Sequence, residues 1–241
     1  RITQKQRIST MSNKRFENAT DYIKNGKCFL QKALERNFST IKSKEEAVKL
    51  FSMIKFNREA ILPYGGNDDE ELPTNFMEFI NQLYTTAISY KAVEWLNEEY
   101  KDSITEFSLC LGESNGRDLT VFLKDNTHVI AEVFAVTHPD SNQKLKHDLL
   151  ALSAGQSEHG VNSIRYAFFA LPEEKFKCFD EGRAKKAVTY TPKTKDAKPI
   201  EYTGDFFKNE TSIQWKCCIE GKSITCVCFS QEEMDKYIME L

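Results

Sequence analysis

"GRDLTVFLKDNTHVIAEVFAVTHPDSNQKLKHDLL", Gly116 to Leu150, places one acid, Asp118, at the start of a β-rich run and a second, Glu132, inside the next. The runs "DLTVFLKD" (118–125) and "HVIAEVFAV" (128–136) are rich in β-branched and aromatic residues. A turn signal at Asp125 to Thr127 separates them, so they are expected to pair as antiparallel strands. Alternation puts Ile130, Glu132, Phe134 and Val136 on one face of the second strand and Val129, Ala131, Val133 and Ala135 on the other. Both faces are apolar except for Glu132. A carboxylate in such a strand is costly to bury unless a metal or a donor satisfies it. Antiparallel pairing brings Asp118 towards the strand that carries Glu132. Two carboxylates converging from neighbouring strands make an all-oxygen pocket of the kind Mg²⁺ or Mn²⁺ prefers.

Working outward, "ITEFSLCLG" (104–112) precedes these runs after a turn signal at "ESNG", which predicts a three-stranded antiparallel meander. "SNQKLKHDLLALSA" (141–154) has Leu145, Leu149 and Leu152 on one helical face, with Ser141 as N-cap. "IRYAFFALP" (164–172) reads as the next strand. Upstream, "YIKNGKCFLQKAL" and "EEAVKLFSMIKF" show helical spacing, "LPYGGNDDEELPT" (62–74) reads as a loop, and a long helix follows with Thr74 as its cap. Downstream, residues 183–198 hold Arg183, Lys185, Lys186, Lys193, Lys195 and Lys198 against the single acid Asp196, on a Pro-containing loop. A hairpin at about 212–229, turning at Glu220 to Ser223, and the helix "QEEMDKYIMEL" close the chain. The expected organisation is an N-terminal helical region (1–75), a core (76–175) and a C-terminal basic loop, hairpin and helix (176–241) packed on that core.

Helix, three strands, helix, strand, with Gly116-Arg117-Asp118 opening the second strand and Glu132-Val133-Phe134 in the third, resembles the core of the PD-(D/E)XK nuclease superfamily, which includes the restriction endonucleases. The resemblance spans residues 85–172, about a third of the chain. It implies an α+β, α/β/α sandwich-like fold with a restriction-endonuclease-like core. It also implies a metal-dependent endonuclease acting on DNA, such as a restriction or defence enzyme. Asp118 and Glu132 would hold Mg²⁺ or Mn²⁺, and Glu94 from the preceding helix would join them. The departure is Phe134, which stands where the family has a lysine. In some branches that lysine comes from the following helix, and Lys144 is the residue expected to supply it. Lys144 shares a face with His147 and Asp148, away from the leucine stripe.

Each of these residues has an ordinary reading too: Asp118 as a turn residue, Glu94 as a polar helix position, and Lys144 as a surface lysine paired with Asp148. The alternative to the enzyme is a nuclease-like domain that no longer cuts and serves in DNA binding or assembly, with Phe134 in its favour. A third reading is an interaction protein that binds no nucleic acid. Lys146, Arg183, Lys185, Lys186, Lys193 and Lys195 are the expected DNA contacts, because lysine and arginine on a loop neutralise phosphate charge without reading sequence. Cutting both strands of a duplex would favour a two-fold homodimer.

Composition narrows the field. The 241 residues can bury a real core. With 33 basic and 36 acidic residues and a net charge of −3, nucleic-acid contact must come from a local patch. No apolar run is long enough for a membrane span, and the polar start "RITQKQRISTMSNKRF" lacks the apolar middle of a signal peptide. A soluble, cytoplasmic protein is expected, with Met11 as a candidate start. The four histidines, His128, His138, His147 and His159, lack zinc-protease or deaminase spacing, and none precedes Asp118 as in viral cap-snatching enzymes. The seven cysteines argue against a disulfide framework. Four of them fall in "KCCIEGKSITCVC", whose spacing is wrong for common zinc knuckles, so a hairpin with small apolar cysteines is expected there.

Overall fold

In the computed structural model, residues 14–16, 59–63, 71–109, 118–135, 144–154, 162–171, 188–190, 199–202 and 214–240 are described, with nine separate positions between 20 and 52. They form a mixed α+β fold. Its centre is a seven-stranded sheet in the order β1-β4-β5-β6-β7-β11-β10. These strands are β1 (Lys14–Phe16), β4 (Ile104–Leu109), β5 (Leu119–Leu123), β6 (His128–Ala135), β7 (Ser163–Leu171), β10 (Gln214–Ile219) and β11 (Lys222–Ser230). Two separate two-stranded sheets pair β2 (Glu59–Pro63) with β3 (Glu71–Asn75) and β8 (Val188–Tyr190) with β9 (Ile200–Tyr202). The helices among the described elements are α1 (Phe76–Tyr100), α2 (Lys144–Ala154) and α3 (Gln231–Met239).

The expected meander is present: β4 pairs antiparallel with β5, and β5 with β6. The β5–β6 turn uses the predicted residues. Asn126 takes φ 66°, a left-handed conformation that asparagine tolerates. The Thr127 N–H donates to Asp125 Oδ1 at 2.9 Å, and this hydrogen bond holds the Asp125 carboxyl below its usual range. From β6 the chain passes through α2 to β7, which lies parallel to β6.

Alternation divides the core into two layers. Leu119, Val121 and Leu123 of β5 and Val129, Ala131 and Val133 of β6 pack with Ala87, Ile88, Ala92, Val93 and Leu96 of α1 and with Met234 and Tyr237 of α3. Ile130 and Phe134 of β6, Ala167 and Phe169 of β7, and inward residues of β10 and β11 pack with Leu145, Leu149, Leu150 and Leu152 of α2. Helices therefore cover both faces of the sheet.

Four expectations change. Leu62 to Thr74 is not all loop, because Glu59–Pro63 pairs with Glu71–Asn75; Thr74 faces Ala60 within that hairpin, so it does not cap α1, which begins at Phe76. Both prolines of the stretch, Pro63 and Pro73, lie within the paired strands. The basic segment is not a plain loop, since Val188–Tyr190 pairs with Ile200–Tyr202 and the pair lies against α2. The C-terminal hairpin does not merely pack on the core: β11 joins the main sheet parallel to β7. Its turn is tighter than expected, with Glu220 at φ 49° and Gly221 at φ 72°, the two-residue type I′ geometry that matches strand twist. Ser141 and most of the two upstream helical stretches lie outside the described residues. Among the described residues no helix is long and apolar enough to cross a membrane.

α3 starts where Ser230 Oγ accepts the Glu233 N–H at 3.0 Å, the N-cap bond that serine supplies best. Ser230→Ala is expected to cost about 1 kcal/mol in a denaturant titration. Leu149→Ala, which empties a fully buried site under α2, is expected to cost about 2–5 kcal/mol. Equal small losses for both would contradict the assignment of α2 to the core.

Candidate functional site

The pairing of β5 with β6 fixes the surroundings of Glu132. Leu119 faces Ala131 and Thr120 faces Ile130, and Asp118 stands one residue before this ladder. The Asp118 N–H donates to the Ala131 carbonyl at 2.9 Å, and Asp118 Oδ2 accepts the Val133 N–H at 2.9 Å. Asp118 thus grips the β6 backbone on both sides of Glu132. By alternation it shares a face with Thr120 and Phe122, as Glu132 does with Ile130 and Phe134, and the register makes this one face, the one that α2 covers.

Burial locates the edge of that cover. Asp118, Thr120 and Phe122 on β5 are partly exposed, whereas Ile130, Glu132 and Phe134 on β6 are buried, Glu132 at 4 % exposure. The seam between open and covered sheet runs between the two acids. Asp118 is partly exposed and Glu132 is buried, so among the described residues the pair is more accessible from the β5 side.

Phe134 is a core residue. Its ring stacks on Phe169, with centroids 5.5 Å apart and planes at 9°, and Phe169 meets Trp215 edge-on at 5.5 Å. The strand position nearest Glu132 on this face is filled by a phenyl ring. Any cation for the acids on this face has to come from another element.

α2 begins with Lys144, whose side chain lies outside the described residues. Lys146, expected as a DNA contact, is buried at 7 % exposure. Its neighbours on the helix at three, four and seven residues, Leu149, Leu150 and Ser153, are all buried. This signal was present in the sequence: Leu150 falls off the Leu145–Leu149–Leu152 stripe and widens the buried arc until it includes Lys146. The hairpin β8–β9 packs against α2 as well as the sheet, which explains why so much of the helix is enclosed. A lysine so buried keeps its charge only beside an acid or other acceptors, and Glu132 and Asp118 lie on the sheet face that α2 covers.

Glu94 is not brought to this site. It belongs to the α1 layer on the opposite face, where its Oε1 accepts the Tyr237 O–H at 3.2 Å and lies 3.6 Å from Lys27 Nζ. Burial and the Glu94 carboxylate push the Tyr237 phenol well above its ordinary pKa, so it remains a donor. Lys27 and Lys91 also approach the Tyr237 ring, each 5.4 Å from its centroid. Glu94 thus ties α1 to α3. Arg183, Lys185, Lys186, Lys193 and Lys195 lie outside the described residues.

The donor set suits a hard divalent ion. Mg²⁺ is commonly held by one or two carboxylates, with waters and substrate phosphates completing its shell, and Asp118 with Glu132 supply two. Among the described residues no three of His, Cys, Asp and Glu gather as a larger metal cage. Phe134→Ala is expected to cost about 3–5 kcal/mol in denaturant unfolding, as for other large aromatic truncations in a core; a near-neutral result would contradict its packing role. Comparison with protein-family models, with curated proteins and with solved structures finds no match for this chain.

Proposed function

We propose that the protein is a divalent-metal-dependent endonuclease that hydrolyses phosphodiester bonds of DNA on a core of the restriction-endonuclease kind, in a restriction or defence role. The observation that carries this reading is the two-point grip of Asp118 on the backbone either side of buried Glu132, which sets two carboxylates on one sheet face at the margin of α2. Asp118 and Glu132 would hold Mg²⁺ or Mn²⁺, which when bound polarises a phosphate and lowers the pKa of a water. Asp118, on the open side, meets the substrate's side of the ion, and Glu132 anchors it from beneath the helix. Because Phe134 occupies the strand position, the ammonium that offsets developing charge comes from the first turn of α2. Lys144 is the candidate by sequence, and Lys146 by burial. The basic segment 183–198 supplies sequence-independent phosphate contacts, and a two-fold homodimer would present two such sites to the two strands of a duplex.

A second reading has one observation in its favour: Phe134 is packed as firmly as any core residue. On that reading the site no longer cuts, and the domain binds DNA or an assembly partner.

Supercoiled plasmid incubated with the protein and Mg²⁺ or Mn²⁺ separates the two. The endonuclease reading predicts nicked and linear products, with Asp118→Ala and Glu132→Ala each slowing cleavage by about 100-fold or more, the scale of losing one charge-stabilising group. Lys144→Ala and the volume-preserving Lys146→Met identify the catalytic ammonium: the effective variant loses cleavage and keeps DNA binding. No cleavage with either metal, alongside salt-sensitive DNA binding that both acid variants retain, would favour the inactive module.

A further inference from the structure

The hairpin β10–β11 carries a feature that the acid site does not use. In β10, Trp215, Cys217 and Ile219 point inward and Gln214, Lys216 and Cys218 outward. In β11, Ile224, Cys226 and Cys228 turn to the same inner face, within the apolar cluster beneath α2. Cys217 is paired with Ile224, and Trp215 with Cys226. The two cysteines are therefore diagonal neighbours across the hairpin, and their sulfurs lie 3.9 Å apart.

The thiols of this cluster differ. The Cys217 and Cys226 thiols are hydrogen-bonded, with either sulfur able to donate, and this bond lowers the Cys217 pKa from the usual thiol value. That same bond, together with complete burial, pushes Cys226 well up. Cys228 shares the face, but its S–H points to the Phe229 carbonyl at 3.6 Å, and burial raises its pKa. Cys218 is exposed on the other face. Only one of these thiols is therefore both eased towards thiolate and in contact with a second sulfur.

We infer that Cys217 and Cys226 form a redox-active dithiol, which hydrogen peroxide converts into a disulfide across the β10–β11 hairpin. The Cys217 thiolate attacks one peroxide oxygen, the O–O bond breaks, and the departing hydroxide takes up the thiol proton as water, leaving a sulfenic acid. The Cys226 sulfur then attacks the Cys217 sulfur, the S–O bond breaks, and hydroxide leaves with the Cys226 proton as a second water. Two thiols lose two electrons and two hydrogens, and the peroxide is reduced to two waters. The sulfurs must close by about 2 Å to reach bonding distance. That closure takes side-chain rotation and a local shift of the β10–β11 ladder, and among the described residues β10 is paired with β11 alone, so no other strand opposes the shift.

The test uses the full chain, reduced and then exposed to hydrogen peroxide. Remaining thiols are alkylated under denaturing conditions, and the digest is read by fragmenting mass spectrometry. The expected result is loss of two of the seven free thiols, with a cross-linked peptide pair joining Cys217 to Cys226. Cys228→Ser and Cys218→Ser retain that link. Cys226→Ser removes it and leaves Cys217 as a sulfenic acid that dimedone traps. The inference is overturned if Cys217 and Cys226 both remain alkylated in the wild-type chain, or if the link joins Cys218 or Cys228 instead. The wild-type map decides this even if a serine variant fails to fold.

Discussion

The register of β5 against β6 determines which chemistry each sheet face can carry. A shift of β5 by one residue would turn Asp118 into the α1 layer, away from Glu132, and carry Leu119, Val121 and Leu123 out of it, because side chains alternate with period two. Those apolar residues fill the core with α1, so hydrophobic burial holds the register against that slip. The Asp125–Asn126–Thr127 turn fixes it at one end, and Asp118 clamps it at the other. The acid with the strongest claim to chemistry is thus also part of the device that keeps the strands aligned. A loss of activity in an Asp118 variant has to be read with the stability of the β5 start in view.

The second layer explains the shape of the site. α2 covers β6, β7, β11 and β10 and stops short of β5, leaving one carboxylate enclosed and its neighbour open. The stacked rings of Phe134 and Phe169 and the edge-on Trp215 share one apolar cluster with the α2 leucines, which joins that helix to the sheet. A lysine in place of Phe134 would give up this stack, so the position serves packing, and the buried lysine on this side of the sheet is Lys146 of α2. Glu94 shows how far a shared helix can mislead: it lies in the helix preceding the meander, yet the sheet separates it from the acids, and it works in the α1–α3 contact with Tyr237 and Lys27.

Much of this was legible in the chain. The period-two pattern in "HVIAEVFAV" and the "DN" turn gave the meander, the leucines of "KLKHDLLAL" gave α2, and the lone glutamate among apolar residues marked the buried acid. Tertiary pairing was not legible. Nothing local in "SITCVCF" says that it lies parallel to β7, because a short apolar run fits either an edge hairpin or a central strand. The β2–β3 pair was hidden by the Gly and Asp of residues 64–70 and by Pro63 and Pro73 within the strands, where proline argues against a strand. Lys146 is enclosed beyond what the leucine stripe alone implies, because β8–β9 lies against α2 from a second side.

The account rests on Asp118 and Glu132 acting as one ligand pair. Titration of the folded protein with Mn²⁺, followed by electron paramagnetic resonance and calorimetry, tests this without requiring a DNA substrate. One bound Mn²⁺ is predicted in the wild type, lost in both Asp118→Asn and Glu132→Gln while circular dichroism and melting temperature show both variants folded. Mn²⁺ binding that is absent from the wild type, or unchanged in either variant, would contradict it.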